Sequence, residues 1–394
     1  MKQYRLLLAK NITLSRLSFI QLLCYFGAWF SHMGIFTLLI NLNAPAWALS
    51  TAAAFTFLPS MLLAPFSGAL IDTVNTKKLM LVLTLIEIVT VFGLIFIDSL
   101  SGLWILLALI FVRMGAGSIY FQTEMSLLPK LLDADDLKMA NEIHSIIWSS
   151  SYALGMSVAG FYIHYFGTTS AFITDMLIYM VGFWLLLGLR IPTLITQNTT
   201  HAFEMIRSGY RYLRANPKIM HLILLHASVG ITAYDALVAL LADYQYKSLL
   251  SVSLIIGFIN AARAIPAVLG QFVLSSRINS KTLFPIFILQ GLSMILWGAL
   301  QFNFYLSFIG IFLCGLFATT IWSYTYTLIQ YATDEQYYGR VIAYNDMTFM
   351  GAATLTSFVI GYLFDVGLSL WMITCLLGAL FIGVAYYWKW VDAQ

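Results

Sequence analysis

Residues 303–330 read NFYLSFIGIFLCGLFATTIWSYTYTLIQ, a stretch without a single Asp, Glu, Lys or Arg. About 20 consecutive apolar residues are enough for an α-helix to cross the roughly 30 Å hydrocarbon core of a bilayer. Lipid offers the backbone no hydrogen-bond partner, so a segment that crosses it must satisfy its own amides as a helix. This stretch therefore predicts a membrane-spanning helix.

Comparable apolar runs follow one another along the whole chain. Of its 394 residues, 61% are hydrophobic and 9% are charged, whereas a soluble domain carries about 25% charged residues. We count twelve such runs, at about 14–40, 46–70, 79–97, 102–125, 142–166, 168–190, 219–246, 249–275, 282–301, 303–330, 342–365 and 368–390. The sequence predicts an all-α membrane protein with twelve transmembrane helices in two six-helix bundles.

Lysine and arginine are distributed unevenly between the loops. When alternate loops are assigned to opposite sides, one side collects the N-terminus and nearly all basic residues, and the other collects only Lys247. Cytoplasmic loops are the ones enriched in basic residues, so we expect a multi-pass protein of the cell inner membrane with both termini in the cytoplasm. The net charge of +3 then reflects topology, and no nucleic-acid partner is expected.

Several classes of function are disfavoured by missing motifs. The first apolar run is too long for a removable signal peptide, so we expect a retained helix. The cysteines, Cys24, Cys314 and Cys375, lack metal-type spacing. No HExxH, CxxC, GxSxG or phosphate-binding glycine loop is present. We therefore expect neither an enzyme nor a metal or other cofactor.

The chain divides into two similar halves. A polar stretch at 191–218, ending in a basic amphipathic helix, separates six spans in residues 1–190 from six in residues 219–394. Sliding the chain on itself by about 204 residues aligns Tyr120 with Tyr324, together with polar loop positions. Two similar halves are typical of transporters whose substrate site lies between the repeats.

The loop after the second span carries a recognisable motif. Residues 68–78, GALIDTVNTKK, resemble the signature loop of the major facilitator superfamily, with Gly68, Asp72 and Lys77 at matching positions. Asn75 stands where the family has a turn glycine, and asparagine tolerates the left-handed backbone that such a turn uses. The resemblance implies the superfamily's fold and a role for this loop in conformational change.

The resemblance extends along most of the chain. Residues 113–117 (RMGAG) are similar to the family's fourth-helix motif, and residues 155–160 (GMSVAG) to its exporter motif, with methionine in place of proline. Residues 127–145 and 334–341 are similar to the branch that contains enterobactin exporters and macrolide efflux proteins. The resemblance implies a monomer whose helices 1, 4, 7 and 10 line a central cavity.

The resemblance also implies a conformational gate. In that gate Glu124, near the cytoplasmic end of helix 4, would lie close to Lys77 and supply a carboxylate. The predicted gate residues are Gly68, Asp72, Lys77, Glu124, Gly155 and Gly160.

Ionisable residues inside predicted spans are candidates for function, because each costs roughly 3 kcal/mol at the bilayer centre. Arg113, Gly117, Tyr120 and Glu124 form one stripe on helix 4. Arg113 could bind an anionic substrate or hold a carboxylate in its charged form. Alternatively it forms a structural ion pair, for which Glu87 is the best partner.

The second half offers a possible charge pair. At 1.5 Å per residue, Asp235 on helix 7 and Arg263 on helix 8 lie at similar depth. They could couple a proton to transport, or they could be a static tie between helices. His32 on helix 1 is a further candidate proton carrier, because histidine titrates near neutral pH; a packing role is the alternative.

Aromatic residues gather in the inner halves of helices 4 and 10. Tyr120 and Tyr324, related by the repeat, are candidate substrate contacts, and Trp322 and Tyr326 lie nearby. Aromatic rings suit a bulky, partly aromatic substrate, although many serve as interfacial belt residues.

These features favour a secondary transporter with protons as the coupling ion. The favoured interpretation is export of a bulky amphipathic small molecule, a drug or a siderophore, by alternating access. A second interpretation is import of a siderophore or nutrient from the periplasm. A third is a membrane receptor that does not transport.

Overall fold

The structure, a computed structural model, describes residues 2–191, 202–274 and 277–393. Within these ranges the chain forms fifteen α-helices joined by short turns. They are α1 Lys2–Lys10, α2 Ile12–Asn41, α3 Ala46–Phe55, α4 Leu58–Thr73, α5 Thr76–Leu94, α6 Leu103–Leu131, α7 Ala134–Leu187, α8 Ala202–Ala215, α9 Pro217–Ala227, α10 Asp235–Leu240, α11 Val252–Leu274, α12 Ser280–Leu300, α13 Phe304–Ala332, α14 Tyr338–Asp365 and α15 Leu370–Asp392. The predicted all-α class is confirmed.

The membrane spans follow the apolar runs. Among the described residues, ten helices are long and apolar enough to cross a bilayer. One of them, within α7, is divided by Gly167, whose φ of 81° and ψ of 170° break the helix. Glycine tolerates this backbone because it has no Cβ, and the break lies between the predicted spans 142–166 and 168–190. A further helix, α5, occupies the predicted span at 79–97.

Contacts group the helices into two compact units. Unit 1 comprises Met1–Leu42 and Leu63–Ala202, and unit 2 comprises Asn43–Leu62 and Phe203–Gln394. Unit 2 thus includes α3, which belongs to the first half of the sequence. The predicted boundaries at 1–190, 191–218 and 219–394 describe the repeat in the sequence and stay a prediction.

Within unit 2, α3 packs against α14, and the two helices come closest at one glycine of α14. A Cβ built on Gly361 would lie 2.0 Å from Ser50 Oγ, far inside van der Waals contact. Only a residue without a side chain lets the two helices approach so closely.

The predicted span 219–246 is not one continuous helix. It consists of α9, a 3₁₀ turn at Ser228–Thr232, α10 and a π turn at Leu241–Tyr246. Gly230 lies in the 3₁₀ turn, and a Cβ there would be 2.7 Å from the Ala353 amide nitrogen of α14. The break makes Asp235 the first residue of α10, where the helix dipole stabilises a carboxylate.

Candidate functional site

Three charged side chains meet in the interior of unit 1. Arg113 of α6 donates from Nε to Glu87 Oε2 of α5 at 2.9 Å and from Nη2 to Asp175 Oδ2 of α7 at 2.8 Å. Their side chains are 5%, 7% and 0% exposed, respectively. The ion pair of Arg113 with Glu87, which we gave as the alternative to substrate binding, is present. The structure adds Asp175 as a second partner, and we call Arg113, Glu87 and Asp175 the Arg113 cluster.

Small residues make room for the carboxylates of this cluster. A Cβ on Gly117 would lie 2.8 Å from Glu87 Oε1, and one on Gly27 would lie 2.8 Å from Asp175 Oδ1. The predicted stripe of α6 therefore contributes space as well as charge. It positions Arg113 against α5 while Gly117 admits the Glu87 carboxylate.

The hydrogen bonds of Asp175 are incomplete. Its Oδ2 accepts from Arg113 and from the Ser31 hydroxyl of α2. Its Oδ1 is buried and has no hydrogen-bond partner. A buried acceptor without a donor is costly, so this oxygen adds to the cost of holding two carboxylates in the cluster.

The carboxylate of Glu124 does not pair with Lys77, so the predicted lock is wrong. Within the described chain, Lys77 Nζ donates to the Leu187 carbonyl oxygen at 2.7 Å. Glu124 is buried and accepts from Gln21 Nε2 at 3.3 Å, and the same amide contacts His144 Nδ1. Glu124 lies in the interior of unit 1 because the face of α6 that carries it is turned toward α2.

The rest of the predicted gate is only partly described. Asn75 has φ −56° and accepts from the Lys78 amide at 3.0 Å, so it caps α5 and does not adopt the left-handed turn we expected. Gly68 and the Asp72 side chain lie outside what the structure describes. Gly155 and Gly160 of α7 are buried, and a Cβ on Gly155 would meet the Trp29 ring at 2.5 Å. Their role in a gate stays a prediction.

Unit 2 contains the predicted second charge pair. Arg263 Nη2 lies 3.6 Å from Asp235 Oδ1, so the expected pairing is confirmed. The guanidinium also donates to Asn260 Oδ1 at 3.0 Å and lies 5.7 Å from the centroid of the Tyr234 ring. This pair is balanced, with one positive and one negative charge.

A histidine that we did not select from the sequence is the centre of an aromatic cluster in unit 2. His226 of α9 is buried, and its ring lies 5.5 to 5.6 Å from the rings of Trp322, Tyr326 and Phe349. The spacing of Trp322 and Tyr326 on one helix face was visible in the sequence. Nothing in the sequence paired them with a histidine on another helix.

The remaining candidates lie mainly in packed surroundings. His32 makes edge contacts with Trp29 and Phe36 at ring distances of 5.5 and 5.3 Å. Tyr120 packs against two apolar core clusters of unit 1. The Tyr324 hydroxyl lies 3.3 Å from Ser280 Oγ. Contact of any of these residues with substrate or protons stays a prediction.

Comparison with known proteins identifies the family. The Major Facilitator Superfamily profile matches residues 17–349. The chain belongs to the major facilitator superfamily. It is therefore a secondary transporter, which confirms the predicted family and the prediction that the chain is not an enzyme.

Its relatives within the superfamily are distant. The uncharacterized MFS-type transporter YvqJ of Bacillus subtilis (strain 168) is 23% identical over 333 residues, which cover 80% of this chain and 78% of YvqJ. A Bacillus subtilis protein named "Putative bacilysin exporter BacE" is 24% identical over 177 residues, or 44% of each chain.

Solved structures share the fold of this superfamily member. The nucleoside transporter NupG matches with a TM-score of 0.72 at 14% identity, over 97% of this chain and 99% of NupG. A peptide transporter POT in complex with alafosfalin matches with a TM-score of 0.73 at 12% identity, over 95% and 94%. At such low identity these matches establish the fold alone.

Proposed function

We propose that this transporter exports a bulky amphipathic small molecule, a drug or a siderophore, by alternating access driven by proton entry. The observation that carries the proposal is the charge imbalance of the Arg113 cluster, in which two carboxylates share one guanidinium. The surplus carboxylate is buried among membrane helices, where an unmatched charge is costly and marks a functional site.

A bound proton would remove this imbalance. Taking an ion out of water costs several kcal/mol unless it is paired and hydrogen-bonded. Arg113 can balance one of its two partners, and a single proton shared by Glu87 and Asp175 neutralises the other. Because the two carboxylates interact through Arg113, they would titrate as one coupled unit. Access of water to the cluster from either side of the membrane would then decide when the proton is bound.

Outward transport has two supports. The name of BacE describes export, and its match covers 44% of this chain. Residues 155–160 also resemble the exporter motif of the superfamily, although methionine replaces its proline. We also propose that the chain is similar to the enterobactin and macrolide efflux branch, which favours export. Import from the periplasm is the alternative. The asymmetry of basic residues supports an inner-membrane protein with cytoplasmic termini, and the resemblance to the superfamily supports a monomer.

The Asp235–Arg263 pair is the second candidate for proton coupling. Its charges cancel without a proton, unlike those of the Arg113 cluster. Loss of the Asp235 charge would nonetheless leave Arg263 without its counter-charge, so the pair stays a candidate for the coupling role that the sequence predicts. The two sites can be separated by experiment because they lie in different units.

The test begins by finding a ligand. Purified protein is screened by thermal shift against antibiotics, siderophores and metabolites, because a ligand at a hundredfold excess over its Kd stabilises the folded state by about 2.7 kcal/mol. The best ligand is then used with Asp175→Asn and Asp235→Asn proteins in proteoliposomes. Exchange at equal pH reports binding and movement, and accumulation under an imposed pH gradient reports coupling.

We expect Asp175→Asn to exchange ligand at equal pH and to lose gradient-driven accumulation. Asp235→Asn, which alters the balanced pair, is the matched variant. Loss of accumulation in Asp235→Asn alone would move the proton site to unit 2 and overturn the assignment to the Arg113 cluster. Normal accumulation in both variants would contradict proton coupling at either site. The sign of the effective gradient separates export from import.

A further inference from the structure

Two aromatic rings of α13 form a stacked platform. The rings of Trp322 and Tyr326 lie 5.4 Å apart with planes only 21° from parallel. The residues are four apart in sequence, so they occupy one face of the helix. Trp322 is 39% exposed, which leaves part of its ring available to another molecule.

His226 and Phe349 hold this platform in place from the neighbouring helices. His226 Nδ1 and Thr325 Oγ1 are hydrogen-bonded at 2.8 Å. The single hydroxyl proton of Thr325 is directed to backbone carbonyls of its own helix, with Ile321 O at 2.8 Å. The bond between His226 Nδ1 and Thr325 Oγ1 fixes the orientation of the His226 ring. The Phe349 ring of α14 closes the third side at 5.5 Å from that of His226.

A carboxylate stands beside the platform. Asp346 Oδ1 accepts from Asn345 Nδ2 at 3.2 Å, and Asp346 interacts electrostatically with Tyr326. The Asp346 side chain remains accessible, although it lies about two turns inside α14. In the part of the chain that the structure describes, no Lys or Arg forms a salt bridge with Asp346 or a cation–π contact with the four rings of the cluster.

The neighbouring residue, Asn345, orients the Asp346 carboxylate. Its side chain is buried, and Oδ1 has no hydrogen-bond partner. Its amide nitrogen donates to Asp346, so Asn345 holds the carboxylate in place as an acceptor. Acceptors and ring faces without a cation suit a positively charged ligand.

The residues of this cluster lie at matching depth. Counted from the inner ends of their helices at 1.5 Å per residue, Trp322 lies about 15 Å before Ala332, and Phe349 lies about 17 Å after Tyr338. His226 lies about 14 Å after Pro217 by the same count. Half of a hydrocarbon core is about 15 Å, so we expect these three rings to lie deep in the inner half of the core.

We propose that the Trp322–Tyr326 platform, with the Asp346 carboxylate beside it, binds a planar aromatic cation that forms part of the transported molecule. The inference rests on the proposed function and deepens it by naming a substrate class. The rings offer stacking area and negative π faces, and Asp346 supplies the opposite charge. An anionic chelator of the same size finds a carboxylate and no cation here, so the platform favours drug-like cations over acidic siderophores.

The test measures equilibrium binding to the purified full-length protein in detergent at one pH. Ethidium is the planar cationic probe, fluorescein is the planar anionic probe, and fluorescence anisotropy gives each Kd. We expect the parent protein to bind ethidium at least about tenfold more tightly than fluorescein, which is a difference of about 1.4 kcal/mol.

Three variants separate the contribution of the ring from that of the charge. Trp322→Ala should weaken ethidium binding about tenfold, whereas Trp322→Phe should retain most of the affinity. Asp346→Asn should weaken ethidium binding about tenfold and reduce the preference over fluorescein. Two control variants change exposed residues of the same types elsewhere in the protein. They are Trp371→Ala on α15 and Asp365→Asn at the far end of α14, and both should leave the ethidium and fluorescein Kd values unchanged.

The proposal is overturned if ethidium does not bind, if fluorescein binds as tightly, or if neither Trp322→Ala nor Asp346→Asn changes the ethidium Kd by more than about twofold. Asp346→Asn alters charge with little change of shape, so it remains informative if a tryptophan variant folds poorly. The assay contains no pH gradient. Its failure therefore leaves proton-driven export standing, and a failure of coupling in proteoliposomes leaves the platform standing.

Discussion

Removing Arg113 should destabilise the protein far more than removing one of its partners. Arg113→Gln deletes both ion pairs, at 2.9 and 2.8 Å, and leaves two buried carboxylates with no counter-charge. Removing one partner of a buried ion pair typically costs about 3–5 kcal/mol, and here one substitution strands two groups. Asp175→Asn removes the surplus charge and leaves Arg113 paired with Glu87, so we expect a cost of about 1 kcal/mol.

The free energy of unfolding can be measured by titrating SDS into mixed micelles, with both variants compared to the parent. The pH dependence gives a second readout. We expect the stranded carboxylates of Arg113→Gln to take up protons in the folded state, because an isolated buried charge is costly, and to release them on unfolding. The folded state then binds more protons than the unfolded state, so the stability of this variant falls as pH rises and recovers as pH is lowered.

Two results would refute this reasoning. If Arg113→Gln were as stable as the parent at neutral pH, the cluster would not carry the unbalanced charge that its geometry describes. If Asp175→Asn lost as much stability as Arg113→Gln, the role of Asp175 would be structural, and its use as a proton site would lose support. Glu87→Gln, which deletes the other carboxylate, serves as the matched variant.

Other predictions test the helix contacts and the topology. Gly361→Leu should destabilise the protein by about 1–3 kcal/mol, since its side chain would overlap the serine hydroxyl of α3, whereas Gly383→Leu, with nothing within 4 Å of its Cβ, should be neutral in the same SDS titration. Tyr212→Ala should release α8 from the rest of unit 2, because the Tyr212 ring stacks at 4.1 Å on the ring of Tyr337. Faster trypsin cleavage after the arginines of α8 would show this, and unchanged cleavage would contradict it. A reporter after Gln394 should indicate the cytoplasm and one at Gly167 the periplasm, and swapped signals would overturn the topology.

The contact that holds α8 in place includes a tyrosine hydroxyl, and its protonation decides whether the contact depends on pH. The Tyr212 hydroxyl accepts a hydrogen bond from the Asp334 amide at 3.1 Å. Burial raises the pKa of Tyr212, so the phenol stays neutral across ordinary pH. The contact between α8 and the turn before α14 is therefore not expected to respond to pH near neutrality.

Much of the fold follows from the sequence because lipid imposes a strong local rule. Any run of about 20 apolar residues must satisfy its own backbone as a helix, so the all-α class follows from hydropathy alone. Charge within such a run is costly, which singled out Arg113, Glu87, Asp235 and Arg263 as residues that need partners.

Partner choice was predictable only where one candidate stood out. Arg113 with Glu87 and Asp235 with Arg263 are correct, since opposite charges at similar depth in neighbouring helices have few alternatives. Asp175 was visible as a charge but not as the second partner of Arg113, because its position depends on how α7 packs against α5 and α6. The predicted pairing of Glu124 with Lys77 is wrong. The rotation of a helix about its own axis is set by packing against its neighbours, and hydropathy does not predict that rotation.

The sequence by itself determined where helices form, which residues carry unfavourable charge and which family the chain resembles, because each depends on local composition or on motifs. Only the tertiary structure decided the three-helix geometry of the Arg113 cluster, the break in the helix before Asp235 and the ring of aromatics around His226. Each of these depends on close approach between segments far apart in sequence, as at Gly117 and Gly230, and such packing is a property of the assembled helices.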